Sequence, residues 1–129
     1  MYCLDTNIII AWLKGDSKII QKISTLTKAE IGITAITLCE LYKGAYLHAQ
    51  ASEKVLQINE LADNIFLMEF GKNACQLFGK DFLHLQKKGK MTQAMDLIIA
   101  SIAKAHNATL VTRNLKDFEN ISELKIEVW

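Results

Sequence analysis

The chain lacks proline altogether, so no imide ring interrupts its helices. It also lacks a charge excess: fifteen Lys and Arg stand against fourteen Asp and Glu, a net charge of +1. Bulk charge therefore gives no sign of nucleic acid, and with half of its residues apolar the chain is not disordered. No apolar run approaches the ~20 residues of a membrane span. Tyr2 follows Met1 without a basic and then apolar leader, so no signal peptide is expected and a cytoplasmic location is. Cysteine is scarce and odd in number. Cys3, Cys39 and Cys75 are widely spaced in apolar runs and are expected as buried thiols in a reducing compartment, not as a disulfide frame or a zinc site. His48, His84 and His106 have no HxxxH or CxxC context, which argues against soft-ligand metal chemistry and predicts solvated helix residues.

What the chain does have is an opening that organises the rest. Tyr2-Cys3-Leu4 reads as a strand buried on both faces. Asp5 ends it, Thr6 and Asn7 follow, and Ile8 to Leu13 form an apolar run stopped by Lys14-Gly15-Asp16. A carboxylate thus stands at the carboxyl end of a buried strand, just ahead of a helix, where open α/β sheets bind ligands. Asp5, Thr6 or Asn7 is equally suited to capping that helix.

Further along, Ser17 can cap a helix over residues 18–28. Residues 31–34 read as a strand and 35–50 as a helix, 51–64 as an amphipathic helix and 65–68 as a third strand. Residues 72–87 form another helix, and Lys87-Lys88-Gly89-Lys90 a loop. Thr92 can cap a helix running to His106. Residues 109–112 make a fourth strand and 126–129 an edge strand. Strands alternate with helices, so the expected fold is α/β: a central parallel sheet of four or five strands with helices on both faces. No linker, repeat or compositional break divides residues 1–129, which are read as one domain.

Four acids stand out. Glu40 is either the far end of a Thr37-x-x-Glu40 capping box or, if Thr34 caps, a charge inside a helix among Leu38, Cys39, Leu41 and Tyr42. Asp96 is the single charge in Ala94-Met95-Asp96-Leu97-Ile98-Ile99-Ala100-Ser101-Ile102-Ala103. A helix so apolar belongs inside, and an uncompensated buried carboxylate costs several kcal/mol. The helix dipole returns only roughly 0.3–1 kcal/mol of that. The fourth, Asp117, lies in Thr112-Arg113-Asn114-Leu115-Lys116-Asp117-Phe118, which follows a strand as Asp5 does. Parallel strands bring these ends to one edge. Carboxylates gathered there repel one another, and a hard divalent cation relieves the repulsion while leaving room for water and phosphate. Metal-assisted phosphodiester hydrolysis is the chemistry this donor set suits.

With these residues in place the chain resembles the PIN domain, specifically the VapC-type toxin of toxin–antitoxin pairs. Leu4-Asp5-Thr6-Asn7 is similar to the first motif of that family and Thr37-Leu38-Cys39-Glu40-Leu41 to the second. Asp96-Leu97-Ile98-Ile99-Ala100 is similar to the third. Leu110-Val111-Thr112-Arg113-Asn114 with Asp117-Phe118 is similar to the fourth. The resemblance implies a PIN-like three-layer fold and a Mg²⁺- or Mn²⁺-dependent endoribonuclease, often a homodimer, silenced by a small VapB-type antitoxin. Asp5, Glu40, Asp96 and Asp117 carry over as catalytic acids, Asp5 and Asp96 as metal ligands, and Thr6, Asn7, Thr112 and Asn114 as supporting polar groups. Many members have an acid where Asn114 stands, so Asn114 and Asp117 both stay open as the residue that completes the site.

For RNA contact the sequence offers Arg113, beside the acidic edge, and the basic loop Lys87, Lys88 and Lys90. Apolar Tyr42, Tyr46, Leu47 and Trp12 are either core or a surface for a dimer or antitoxin. Two other functions share the acid pattern. A phosphoryl-accepting receiver-like switch would want paired acids after the first strand, where only Asp5 stands. A non-catalytic PIN-like binding module would have no need of Asp5, Glu40 and Asp96 together.

Overall fold

A computed structural model describes residues 1–129. Five strands form one all-parallel sheet: β1 (Tyr2–Leu4), β2 (Ile31–Thr34), β3 (Phe66–Met68), β4 (Thr109–Val111) and β5 (Ile126–Glu127), in the order β3-β2-β1-β4-β5. Helices α1 (Thr6–Leu13) and α2 (Ser17–Ser24) connect β1 to β2, and α3 (Ala35–Leu47) and α4 (Ala51–Asn64) connect β2 to β3. Helices α5 (Lys72–Lys88) and α6 (Ala94–Ala105) lead to β4, and α7 (Leu115–Phe118) precedes β5.

The strand order explains the layers. From β1 the chain steps to β2 and β3 in one direction, then crosses back to β4 and β5. Parallel crossovers are right-handed, so reversing the direction moves the connecting helices to the opposite face. Two cores result. Ile8, Ile9, Ile19, Leu41 and Ile58 from α1 to α4 pack on one face with Leu4 and Val111. Leu85, Leu97, Ile102 and Phe118 from α5 to α7 pack on the other with Cys3 and Leu110. Neighbours Cys3 and Leu4, and Leu110 and Val111, thus point to opposite faces, as a pleated strand requires. Gly32 is needed within β2 because a Cβ there would lie 2.8 Å from the Phe66 carbonyl oxygen.

Several local expectations are corrected. Asp16, not Ser17, caps α2 by accepting from the amides of Lys18 and Ile19. That helix ends at Ser24, and a short 3₁₀ turn at Lys28–Glu30 follows. Thr92 does not cap α6, which starts after Gln93; its hydroxyl donates instead to the Asp117 carbonyl at 2.6 Å. Cys39 and Cys75 are exposed, and only Cys3 is buried, its thiol pushed up to about 12 by burial and then by the nearby Asp5 charge. Trp12 and Tyr42 pack against the core, whereas Tyr46 and Leu47 are 68% and 78% exposed.

One ion pair is buried: Lys104 Nζ on α6 meets Asp81 Oδ2 on α5 at 2.7 Å. It clamps α6 against α5 two turns beyond Asp96.

Candidate active site

The strand order reverses between β1 and β4. At such a point the connections diverge to opposite faces and leave a crevice outside the carboxyl ends of the strands. Asp5 follows β1 and Thr112 follows β4, so both stand at this crevice. The Asp5 amide donates to the Val111 carbonyl at 2.9 Å, which continues the β1–β4 pairing to the rim.

Asp5 caps α1 and also lines the crevice. Its Oδ1 accepts from the Thr6 amide at 2.8 Å and caps α1. Its Oδ2 accepts from the Thr112 hydroxyl at 2.7 Å and from Asn7 Nδ2 at 3.0 Å. Asn7 is fixed in turn, because its Oδ1 accepts from the Arg113 amide at 3.1 Å. The Thr112 hydroxyl also accepts from the Asn114 amide at 3.0 Å. Asp5 and Thr112 are buried, and this mesh holds the carboxylate in one orientation.

Glu40 reaches the same place from β2. Thr34 caps α3 by accepting from the Thr37 amide at 3.0 Å, so there is no capping box at Thr37 and Glu40 lies inside the helix. Its half-buried carboxylate accepts a hydrogen bond from the Thr6 hydroxyl. Asp96 enters from the first turn of α6, half-buried, after the exposed Ala94 and Met95 and just before the buried Leu97 and Ile99. Its pKa is raised to about 6, chiefly because burial disfavours the charge, and further by the carboxylates of Asp117, Asp5 and Glu40. Three acids from three other elements therefore press on Asp96, and no cation offsets them. Both ion pairs in the protein, Lys104–Asp81 and Arg113–Asp16, lie outside this group.

Asp5, Thr6, Asn7, Glu40, Asp96 and Asn114 line a single open cleft of about 440 Å³. Asp117 stands beside it on α7, exposed, with its backbone held by Thr92. Asn114 and Asp117 thus differ in position, Asn114 lining the cleft and Asp117 lying at its edge, where its charge acts on Asp96. The remaining expected residues fall outside. The Arg113 guanidinium binds Asp16 Oδ2 at 2.7 Å and the Trp129 carbonyl at 3.3 Å. Lys87 and Lys88 belong to the last turn of α5 and not to a loop, with Gly89 ending the helix; they and Lys90 are exposed and do not line the cleft. Lys43 does line it. The sequence carried that signal, since Lys43 is three residues after Glu40 and shares its helical face.

The donors suit a hard divalent cation. They are carboxylate, hydroxyl and amide oxygens, with no sulfur or imidazole among them. No three acid, histidine or cysteine side chains stand close enough together to enclose an ion between them. None of the four carboxylates is held in an ion pair.

Comparison with known proteins agrees with this geometry. The family model described as PIN domain matches residues 2–124. Ribonuclease VapC1 of Haemophilus influenzae (strain R2866) is 34% identical over 131 aligned residues, covering 100% of this chain and 98% of the relative. Among solved structures, VapBC2 from Rickettsia felis bound to a promoter DNA fragment superposes with a TM-score of 0.91 at 32% identity, covering 99% of this chain and 98% of that one. VapBC-1 from nontypeable Haemophilus influenzae gives 0.89 at 34%, covering 99% and 97%.

Proposed function

The chain belongs to the PIN-domain family, and from that membership and the acidic cleft we propose that it is a divalent-metal-dependent endoribonuclease of the VapC type. The observation that carries this reading is that Asp5, Glu40 and Asp96 line one cleft with Asp117 at its edge, and that neither ion pair of the protein involves them. All 129 residues are assigned to one PIN domain.

Asp5 and Asp96 are assigned as ligands of Mg²⁺ or Mn²⁺, with Glu40 and Asp117 as the further catalytic acids. A bound ion would supply an activated water and neutralise charge on the phosphoryl group. The protein's own part is positional. Thr112 and Asn7 fix Asp5, Thr6 fixes Glu40, and the buried α6 fixes Asp96. Asn114 presents an amide at the cleft wall that can hydrogen-bond water or phosphate. Hydrolysis there would add water at phosphorus and break one phosphorus–oxygen ester bond, the proton lost by the water balancing the one gained by the leaving oxygen.

The partner is assigned as a small VapB-type antitoxin, supported by the VapBC assemblies among the similar structures. Leu47 lines the cleft while being largely exposed, and Tyr46 beside it is equally bare. A protein covering these two side chains would also close the site. A homodimer and a cytoplasmic location complete the reading; no helix is long and apolar enough to cross a membrane.

The test is incubation of the purified chain with single-stranded RNA and Mn²⁺ or Mg²⁺, followed by mapping of the new ends. Cleavage should occur at discrete positions, stop in chelator and be absent from Asp5→Ala. Intact RNA with either metal, or cleavage that survives in Asp5→Ala, would overturn the proposal.

A further inference from the structure

A cleft lined by carboxylates repels the polyanion it is proposed to cut. RNA therefore needs cations placed around the acids, close enough to hold phosphates without neutralising the acids themselves. Arg113 does not meet this need, because its guanidinium is already paired with Asp16. Lys87, Lys88 and Lys90, at the end of α5, do not line the cleft.

Two other lysines are placed for the task. Lys43 lines the acidic cleft one turn beyond Glu40 and is exposed. On the other side of Ile10, a second depression of about 360 Å³ shares Asn7 and Ile10 with the acidic cleft and contains Lys14. Lys14 lines a third depression too, of about 260 Å³, which meets the acidic cleft at Ile10, Glu40 and Gly44. Neither lysine has a carboxylate within ion-pair distance. Neither is among the charges that act on Asp96, all of which are acids. Their charge is thus available to a ligand.

The floor between them is low. Gly44 lies inside α3, where glycine costs roughly 0.5–1 kcal/mol relative to alanine. A Cβ built there would meet nothing within 4 Å, so packing does not demand glycine. It lies where the acidic cleft meets the third depression.

We propose that Lys43 and Lys14 are the substrate-positioning cations, binding RNA phosphates one within the acidic cleft and one in the depressions beside it, so that the strand crosses Ile10 and Gly44. This rests on the endoribonuclease reading. It places the strand along α1 and α3 and away from Lys87, Lys88 and Lys90 at the end of α5.

The test uses a fluorescent single-stranded RNA oligonucleotide with Mn²⁺. Lys43→Gln and Lys14→Gln should each raise KM severalfold and leave kcat within about twofold. Each should also flatten the dependence of log(kcat/KM) on log[salt] by about 0.7, the share of one phosphate contact on a single strand, and the double variant by about 1.4. The same slopes should appear in equilibrium binding on an Asp96→Asn background, which needs no cleavage. Replacing Lys87, Lys88 and Lys90 together by Gln should leave the slope unchanged. Gly44→Leu should melt at or above the wild-type temperature, since it removes a helix-interior glycine, and raise KM. If wild type cleaves RNA but Lys43→Gln and Lys14→Gln keep its slope and KM, the inference fails while the endoribonuclease reading stands. If those variants instead lose affinity only for a polyglutamate peptide, the lysines belong to a protein-binding surface and the inference is again overturned. Absence of cleavage by wild type would sink the reading beneath it.

Discussion

The Thr112 hydroxyl donates to Asp5 Oδ2 at 2.7 Å across 107 residues of sequence. It ties the end of β4 to the end of β1 at the point where strand order reverses. The same oxygen accepts from Asn7 Nδ2 and from the Asn114 amide, so one hydroxyl orients three of the groups that line the cleft.

Thr112→Val keeps the shape and removes these bonds. A hydrogen bond to a charged group is worth about 1.5–3 kcal/mol, so the melting temperature should drop. Freed of its donor, Asp5 can shift, and RNA cleavage should fall roughly tenfold to a hundredfold. Thr112→Ser keeps the hydroxyl and should retain most activity. If Thr112→Val cleaves as well as wild type, the bond is structural only.

Asp96 sets the response to pH in chelator. Its pKa in the folded protein is about 6, against an ordinary 3.8. Between these values the folded chain holds a proton that the unfolded chain has lost, so this group's contribution to stability declines as pH rises from about 4 to 6 and is flat above. The melting temperature of wild type relative to Asp96→Asn should decline over that window. Mn²⁺ must displace the same proton, so its affinity should rise as pH passes through about 6. Parallel melting profiles for the two proteins would show that Asp96 does not titrate there.

Asp81 offers the contrast of a buried acid with a structural task. Its partner Lys104 is 8% exposed at the side chain, so Asp81→Ala strands a buried ammonium at a cost of about 3–5 kcal/mol. The variant should melt well below wild type yet gain as much from Mn²⁺, since the cleft is intact. Asp81→Ala with Lys104→Met should recover much of the loss. A variant that melts early and also loses its response to Mn²⁺ would place the pair in the metal site.

Much of this was legible in the sequence because the pattern is strong. Residues 51–64 and 109–111 carry helical and strand periodicity that tertiary contacts leave unchanged. Asp96 stood out as one charge in an apolar helix. Less legible were features set by long-range partners. Thr92 has the chemistry of a cap, but the Asp117 carbonyl takes its hydroxyl. Cys39 sits in an apolar run, yet it falls on the outer side of α3 and is exposed. Arg113 follows a strand end like a ligand-binding residue, and only the fold shows that Asp16, 97 residues away, claims its charge. Lys43 escaped notice because a lone lysine on a helix is ordinary until the cleft it lines is seen.

The central claim is that the carboxylates converge to hold a metal and not to hold the fold. Melting curves of wild type and Asp96→Asn, each in chelator and in Mn²⁺, test it most directly. Asn keeps the shape of Asp96 and removes one charge from a repelling group, so in chelator the variant should melt at or above the wild-type temperature. Ligand binding to the folded state is the source of any gain from Mn²⁺, so wild type should be stabilised by the ion and Asp96→Asn should lose most of that increment. An Asp96→Asn protein that melts far below wild type in chelator, yet gains fully from Mn²⁺, would show that Asp96 is a structural acid and contradict the account.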